Sequence, residues 1–486
     1  MNPIYLEVFV VALGIALLMV EAFVTATDKR FVAYIGIAGL VAVFAATFWV
    51  DPKMIPADAP YATFYTADVW AMFFKRFSLL TTILVLVMSI DYVPVIERFI
   101  PGERKGAGVG EFFALPVLTC AGLMWMVSAI DFISIFVALE LVTISFYVLV
   151  AYLRRSHATL EAGTKYLILG ALSTGFIVYG ITWIFGMTGE TNLYAITTAL
   201  PTLDPTKYTA LMFGFGLVLV ALGFKIAAFP FQFWVPDVYQ GAPTPIAAFL
   251  SVGSKAAGFV VLLRVVSPFF AANAPAVLHD KMVLILGLLA GMTLLYGNLA
   301  ALPQTNFKRL LSYSSVGHAG YLLMAIASLD VGLAQPAIVF YLAAYLLMTF
   351  LAFMVMALVS RSVGGDDLSH FAGLGRRSPW LAGAMLVAML SLAGIPFTAG
   401  FLGKLFVFGV ALQASHYWLV ALGALTVGCG FYFYLRVVRE MYWRPAPDNL
   451  PEIPVSMAGR VSMVVLGVLI FVVGICPQSV FALIEK

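Results

Sequence analysis

Six ionisable side chains lie inside long apolar stretches of the 486-residue chain. They are one glutamate, four lysines and one histidine: Glu140, Lys165, Lys225, Lys255, Lys404 and His318. Burial disfavours the ammonium form of a lysine, so a buried lysine can release and regain a proton near neutral pH. Histidine titrates in the same range. A series of such residues predicts a path for proton transfer.

The competing interpretation is a static set of ion pairs that locks helices together. Each charged residue at the centre of a membrane span costs about 2.5–3.5 kcal/mol on insertion scales. Glu140 lies nine residues after Asp131, about 13 Å deep in a helix. One carboxylate cannot pair with four lysines, which favours the proton path. His318, among serines and tyrosines, has a second interpretation as a hydrogen-bonded polar group of the core.

The composition indicates a membrane protein. Of the residues, 63% are hydrophobic and 10% are charged, and the mean hydropathy is +1.02. A soluble chain of this length cannot bury so much apolar surface. Basic residues occur singly or in pairs, so no face fits a nucleic-acid backbone. Cys120, Cys429 and Cys476 are isolated, which predicts neither an iron–sulfur nor a zinc site in this chain.

Apolar runs between polar breaks predict about fourteen membrane-spanning helices, each of roughly 20 residues. The predicted spans are 4–24, 31–50, 69–93, 111–128, 131–152, 161–187, 208–239, 244–268, 277–299, 309–329, 332–360, 379–414, 417–442 and 459–483. The first is longer than the apolar core of a signal peptide and lacks a basic segment before it, so it is interpreted as a helix.

The seventh and twelfth spans are too long for one straight helix. At 1.5 Å per residue each would be near 50 Å long, against a hydrocarbon core of ~30 Å. Both contain proline, which helix interiors reject. The breaks have similar sequences, Ala-Ala-Phe-Pro-Phe at 227–231 and Ala-Gly-Ile-Pro-Phe at 393–397. Each span is therefore predicted to be two half-helices joined by an unwound stretch.

The positions of the two broken helices predict an internal repeat. Spans four to eight and nine to thirteen are two sets of five, and the broken helix is fourth in each set. Since five is odd, the second set enters the membrane from the opposite side, as in the inverted repeats of many transporters. The chain is therefore predicted to comprise a three-helix segment at 1–110, repeats at 111–268 and 277–442, and a final loop and helix at 443–486.

Basic residues predict the orientation, because they concentrate in cytoplasmic loops. Alternate loops hold the pairs Lys29–Arg30, Arg104–Lys105, Arg154–Arg155, Lys308–Arg309 and Arg376–Arg377. The opposite loops and helix ends hold fewer: Lys53, Lys75, Arg76, Lys207, Arg264, Lys281 and Lys486. This asymmetry predicts that both termini lie outside.

Five motifs carry a resemblance to a known family. They are WVPDVYQGAPTP, FVALELVTISFY, LEAGTKYLILGA, QTNFKRLLSYSSVGHAGY and LSLAGIPFTAGFLGKLFVF. The chain resembles, over essentially its whole length, the antiporter-like subunits of bacterial proton-pumping NADH:quinone oxidoreductase (respiratory complex I), in the form found in subunit N. The resemblance implies a membrane-arm subunit that moves protons while quinone is reduced in neighbouring subunits.

The resemblance also implies roles for residues. In the family a glutamate of the fifth helix and a lysine of the seventh form a coupling pair, matching Glu140 and Lys225. Further family lysines match Lys165, Lys255 and Lys404. Some members have histidine where this chain has Gln232, so a relay through that position must use water here. Independently of the resemblance, Asp237 beside Pro236 is expected to be a cap or loop contact, with a functional role as the alternative.

The family further implies partners and a location. Flavin mononucleotide and iron–sulfur clusters are expected in other subunits, with no cofactor in this chain. The expected partners are membrane subunits A, J, K and M, the lateral helix of subunit L, indirectly the peripheral arm, quinone in neighbouring subunits and lipid, but not nucleic acid. The expected location is the bacterial inner membrane. Two alternatives stay open: a subunit of a multi-subunit cation/proton antiporter, and a structural membrane scaffold.

Overall fold

The computed structural model describes residues 2–24, 28–51, 55, 59–100, 106, 108–445 and 453–484. Within these residues the chain is helical and contains no β-strand. The α-helices are α1 Tyr5–Phe23, α2 Arg30–Ala46, α3 Val69–Phe99, α4 Val109–Ser128, α5 Phe132–Val150, α6 His157–Thr188, α7 Leu193–Ala199, α8 Tyr208–Ile226, α9 Trp234–Gly241, α10 Thr244–Phe249, α11 Lys255–Val266, α12 Ala276–Ala301, α13 Phe307–Ile326, α14 Ala334–Val363, α15 Leu374–Arg377, α16 Pro379–Ala393, α17 Ala399–Gln413, α18 Tyr417–Trp443, α19 Met457–Ile475 and α20 Gln478–Ile484.

Twelve helices of the described part are long and apolar enough to cross a membrane. The prediction of an all-helical membrane protein is therefore confirmed. Two of the fourteen predicted spans are not among the twelve. The tenth corresponds to α13, whose 20 residues include Lys308, Arg309 and His318 and are less apolar. The twelfth is divided into α16 and α17, each of 15 residues and each too short alone. The total of fourteen stays a prediction.

The first break separates α8 from α9. Helix α8 ends at Ile226, and Ala227 then adopts a left-handed backbone conformation with φ of 65°. Pro230 cannot donate a backbone hydrogen bond, so a continuous helix is not available here. The indole of Trp234 donates to the carbonyl of Phe224 at 3.0 Å, which satisfies an acceptor freed at the helix end. The break lies where the sequence predicts it and leaves Lys225 in the last turn of α8.

The second break separates α16 from α17. Helix α16 ends at Ala393, and Gly394 takes φ of 89°, a conformation that favours glycine. A Cβ atom on Gly394 would lie 3.2 Å from the ammonium nitrogen of Lys404. Glycine is therefore required both by the backbone and by the lysine. Helix α17 begins five residues later, at Ala399.

The centre of the bundle is formed by two stretches, Thr244–Phe270 and Ala334–Val363, and in an apolar 18-residue segment of each 94% of the residues are buried. The first includes α10 and α11, and the second is α14. By contrast, only 22% of the residues are buried in the corresponding segment of α6, which lies at the edge of the bundle. Groups on α11 and α14 are therefore shielded by this chain alone, whereas groups on the outer face of α6 are not.

Charged contacts attach the N-terminal helices to the rest of the bundle. The ammonium group of Lys75 on α3 lies 2.7 Å from the Glu7 carboxylate on α1, and Tyr65 contacts both. Lys75 is fully buried, although the sequence placed it with basic residues of outer loops. At the end of α11, Arg264 donates two 2.9 Å bonds to Asp68 and further bonds to the Val127 carbonyl.

The predicted segment boundaries and the orientation stay predictions. A single apolar core extends from α1 to the last described helix, so packing does not separate the four predicted segments. Of the basic residues used to predict orientation, Lys53, Arg104, Lys105 and Lys486 lie outside the described residues.

Replacement of Gly394 tests the second break. The Gly394→Ala variant places a Cβ in a left-handed conformation, which costs about 1–2 kcal/mol, and brings it against Lys404. We expect a lower midpoint of thermal denaturation for the purified complex that carries it. Gly383→Ala in α16 is the matched control, because a Cβ there meets no atom within 4 Å. Equal midpoints for the two variants would contradict the assigned role of Gly394.

Candidate functional site

Glu140 lies on α5 at the edge of the bundle and is half-buried. The hydroxyl of Thr174 on α6 donates to its carboxylate at 2.7 Å. Its neighbours on α5 include Val137 and Leu141, which are exposed in the isolated chain. Exposed apolar side chains on a membrane protein face lipid or another subunit, so the carboxylate lies beside a surface that another molecule covers.

Lys225 lies deeper, at the end of α8, and is 4% exposed. Its ammonium group donates to the hydroxyl of Thr143 at 3.0 Å. Thr143 is three residues from Glu140, hence on the same face of α5. No ion pair joins Glu140 and Lys225 in the described structure. The predicted coupling pair is thus brought to one face of α5 but is separated, with Thr143 between its members.

Lys225 also contacts the helix that carries Lys255. A Cβ on Gly258 of α11 would lie 3.3 Å from Cγ of Lys225, so this glycine allows the lysine stem to pack closely. Gly258 is three residues beyond Lys255 and therefore one turn away. The stem of Lys225 thus packs on α11 one turn away from Lys255, and the two ammonium groups have different partners.

Lys255 begins α11 directly after a π-helical turn at Leu250–Ser254. Such turns occur often at functional sites, because the wider turn changes the direction of the side chains that follow. The ammonium group donates to the Ser315 carbonyl at 2.6 Å and contacts the Ser315 hydroxyl. Lys255 is 2% exposed and has no carboxylate partner in the described residues.

His318 is enclosed by tyrosines of two other helices. Its Nδ1 lies 2.6 Å from the Tyr341 hydroxyl of α14, and its Nε2 lies 3.1 Å from the Tyr434 hydroxyl of α18. Tyr434 also contacts Ser314. Both ring nitrogens therefore have oxygen partners. Ser315 is three residues before His318, so the groups that meet Lys255 and these tyrosines share one face of α13.

Lys404 is held by the backbone at the second break. Its ammonium group donates to the carbonyls of Leu392 at 2.9 Å and Ala393 at 2.7 Å, the last residues of α16. Helix C-termini carry partial negative charge and attract cations. The ammonium group also lies 5.6 Å from the centre of the Tyr321 ring, three residues beyond His318 on α13. Ser315, His318 and Tyr321 thus lie between Lys255 and Lys404.

Lys165 differs from the other three lysines. It is 43% exposed and forms ion pairs of 2.7 Å with Glu161 and with Asp237. Asp237 on α9 also binds Arg309 of α13 at 2.8 Å. Of the two interpretations of Asp237, the ion pairs to α6 and α13 are not the expected cap or loop contact. The break changes the direction of the chain, so that the Asp237 carboxylate on α9 contacts side chains of α6 and α13. The spacing of residues along the sequence does not reveal such a contact.

Gln232 lies in the unwound stretch between α8 and α9 and is 1% exposed. Neither its side-chain oxygen nor its nitrogen has a protein partner in the described structure. A buried amide left without hydrogen bonds costs about 1–3 kcal/mol. Internal water satisfies such groups in proteins. The surroundings of Gln232 thus agree with the expectation that this residue binds water.

The sequence identified the titratable residues but missed the oxygen atoms that hold them. These partners are Thr143, Thr174, Ser315, Tyr341 and Tyr434. The first three had a readable signal, since Thr143 and Ser315 are three residues from Glu140 and His318, and Thr174 is on the predicted sixth span. Tyr341 and Tyr434 had none, because only tertiary packing brings them to His318.

Comparison with known families gives a match over most of the site. Residues 129–430 match the family described as NADH:quinone oxidoreductase/Mrp antiporter, TM. The matched range includes all six predicted site residues. The chain therefore belongs to this family of antiporter-like membrane proteins.

Relatives of nearly full length refine the assignment. The chain is 39% identical to the NADH-quinone oxidoreductase subunit N of Trichlorobacter lovleyi, over 100% of this chain and 96% of that protein. It is 36% identical to the protein of the same name from Dehalococcoides mccartyi, over 99% and 97%. Within the family, the chain thus groups with the subunit N proteins.

Solved structures agree with the fold. A chain of respiratory complex I from Thermus thermophilus superposes with a TM-score of 0.80 at 31% identity, covering 98% of both chains. A chain of the Mrp complex from Dietzia sp. has a TM-score of 0.82 at 20% identity, over 99% of this chain and 96% of that chain, and shares the fold alone. The fold is thus common to redox-linked complexes and antiporters.

Substitution of Gln232 tests whether its side chain binds an internal water molecule. In Gln232→Leu the amide is replaced by an apolar group of similar size. If the amide binds water, the variant leaves that water without partners and lowers the thermal midpoint of the complex. High-resolution cryo-EM density beside Gln232 is the direct measurement. An unchanged or higher midpoint, with no density for water at the wild-type side chain, would contradict the water site.

Proposed function

We propose that the chain is a proton-translocating membrane-arm subunit of an NADH:quinone oxidoreductase, coupling quinone reduction elsewhere in the complex to proton transfer. The observation that carries the proposal is the row of buried groups between Lys255 and Lys404. Ser315, His318 and Tyr321 follow one face of α13 between the two lysines. Neither lysine is neutralised by a carboxylate in the described part of the chain.

The first step of the proposed cycle occurs at Glu140. This carboxylate lies beside the surface that another molecule covers, so a charge or proton arriving there from a neighbour changes the electrostatic field at Lys225. The Thr174 hydroxyl on α6 donates to Glu140, and the Thr143 hydroxyl, one turn from Glu140 on α5, accepts from Lys225. Loss of negative charge at Glu140 favours release of the proton from Lys225.

The released proton passes toward Lys255, whose helix packs on the stem of Lys225. From Lys255 the next groups are the Ser315 hydroxyl and His318, which can accept a proton on one ring nitrogen and release one from the other. Lys404 then receives the proton at the second break and releases it from the membrane. Lys165 supplies a further titratable group at the edge of the first half. Water at Gln232 provides an uncharged contact in the unwound stretch.

The complex supplies what this chain lacks. We place flavin mononucleotide, iron–sulfur clusters and quinone in partner subunits of the complex, together with the NADH-oxidising peripheral arm. The proposed direct partners are membrane subunits A, J, K and M and the lateral helix of subunit L. The proposed location is a bacterial inner membrane with both termini on the periplasmic side.

The alternative antiporter function has a specific observation in its favour, because a chain of an Mrp complex has the same fold. The sequence relatives of nearly full length favour the redox complex. Affinity purification of the tagged chain from its own membranes separates the two functions. We expect flavin- and iron–sulfur-containing subunits to co-purify with it. Their absence, with other membrane subunits present, would favour the antiporter.

Substitution of the coupling residues tests the proposal. We expect Glu140→Ala and Lys225→Ala to lower proton pumping driven by NADH oxidation by about tenfold or more, because a positioned proton-transfer group contributes ~10²–10⁴-fold. Reduction of hexacyanoferrate by the peripheral arm should be unchanged, since it does not use the membrane arm. Lys281→Ala, at an exposed lysine of α12, is the control. Full pumping in both variants would reject the mechanism.

A scaffold without proton transfer predicts a different result at Lys255. If Lys255 only positions helices, Lys255→Arg keeps its charge and should pump normally. Under the proton path, Lys255→Arg assembles but pumps poorly, because arginine stays protonated in proteins. The measurement is acidification of inverted membrane vesicles, with assembly checked by native gel electrophoresis. Normal pumping by an assembled Lys255→Arg complex would favour the scaffold.

A further inference from the structure

The partner atoms divide the four lysines of the site into two groups. Lys225, Lys255 and Lys404 donate to hydroxyl and carbonyl oxygens, which carry no net charge. Lys165 instead forms ion pairs with two carboxylates. A carboxylate stabilises an adjacent ammonium group far more than a neutral oxygen does. Transfer of a proton from Lys165 therefore depends on the position of carboxylates in direct contact with it, which the other three lysines do not have in the described structure.

Of the two acidic partners, Asp237 is the one whose distance from Lys165 can change when other helices of the bundle move. Glu161 is on α6 itself, one turn from Lys165, and is 66% exposed. Asp237 is on α9, the half-helix that follows the first break. Its position relative to Lys165 can therefore change when the break bends, whereas that of Glu161 is fixed by the helix.

Asp237 also connects the two predicted repeats. One carboxylate oxygen lies 2.7 Å from Lys165 on α6, and the other lies 2.8 Å from Arg309 on α13. Arg309 further contacts the side-chain oxygen of Gln240 at 3.0 Å. Helix α13 is the element that carries Ser315 and His318. A shift of α13 or of α9 thus changes how the single carboxylate is shared between the two cations.

We propose that Asp237 is a positioning residue for Lys165: it holds the protonated lysine against α9 and releases it when the carboxylate moves toward Arg309. The inference rests on the proposed function, since it assumes that Lys165 transfers protons. It links the charge state of a lysine at the edge of the first repeat to the position of the helix that carries His318. All three groups are partly exposed in the isolated chain, so the surrounding protein leaves space for the pair to open.

The alternative role for Asp237 is a static clamp between α9 and α13 through Arg309. Exposed ion pairs contribute little to stability, so a clamp of this kind would be weak. The two roles differ in which residue is energetically coupled to Asp237. If Asp237 is a positioning residue, its effect on proton pumping depends on whether Lys165 is present. If it is a clamp, its effect on the stability of the complex depends on whether Arg309 is present, and pumping falls only as far as assembly fails.

A double-mutant cycle on the whole complex tests the inference, with proton pumping per NADH oxidised as the readout. We expect Asp237→Asn to reduce the ratio severalfold and Asp237→Glu to restore most of it. In the Lys165→Met background, Asp237→Asn should cause no further loss. In the Arg309→Gln background, it should still cause a loss. Glu190→Gln, at an exposed acid of an outer loop, is the control.

The possible failures are distinguishable. If Lys165→Met pumps normally, Lys165 has no part in the proposed function, and the inference falls with it. If Lys165→Met lowers pumping but Asp237→Asn does not, only the inference is overturned. Coupling of Asp237 to Arg309 but not to Lys165 would establish the clamp. Should Asp237→Asn fail to assemble, Asp237→Glu replaces it in the cycle. A partial loss caused by Asp237→Glu that disappears in the Lys165→Met background supports the positioning role, whereas additive losses overturn it.

Discussion

Uncharged oxygen atoms hold the three most deeply buried lysines of the site, and the rest of the structure depends on this arrangement. A carboxylate beside each lysine would keep the lysine protonated, and purely apolar surroundings would keep it neutral. Hydroxyl and carbonyl oxygens stabilise the ammonium group less than a carboxylate does and more than an apolar side chain does, because they accept a hydrogen bond from the lysine in either protonation state. The helices must therefore bring oxygen atoms to places where hydrocarbon would otherwise surround the ammonium group. Thr143, Ser315 and the end of α16 supply them.

The lysines with carboxylate partners form a useful contrast. Lys75 pairs with Glu7 on α1, and Lys308 pairs with the Asp366 carboxylate at 3.2 Å. Burial raises the pKa of Asp366, but the nearby Lys308 outweighs this effect, so the pKa of that carboxyl lies below its usual value. Such pairs attach neighbouring elements to one another and keep their charges. The partner atom, more than the depth of burial, distinguishes Lys225, Lys255 and Lys404 from the buried lysines that are paired with carboxylates.

Much of this arrangement was predictable from the sequence, and the reason is the membrane itself. Hydrocarbon makes every charge and every proline costly, so Glu140, Lys255 and the two breaks stand out from an apolar background. The oxygen partners stand out less, since serine, threonine and tyrosine occur throughout membrane helices, and only the spacing of Thr143 and Ser315 from titratable residues gives a signal. The π-helical turn before Lys255 has no sequence signature comparable to a proline.

Asp237 shows most clearly what could not be predicted from the sequence. Beside Pro236 it has the sequence context of a turn, and its two cationic partners are 72 residues away in opposite directions along the chain. Only the path of the chain through the break brings them together. The count of fourteen spans stays a prediction, because within the described residues α13 is too polar and α16 and α17 are too short to qualify individually as spanning helices.

The hydrogen bonds from Lys404 to the carbonyls of Leu392 and Ala393 affect how mutations at these two positions act. Every amino acid presents the same backbone carbonyl, so no substitution at these two positions can delete the acceptor itself. A mutational scan read only through side chains would score both positions as tolerant, provided that the new residue fits the packing. The partner of this lysine is therefore protected from point mutation, and only changes that move the end of α16, such as at Gly394, can take it away.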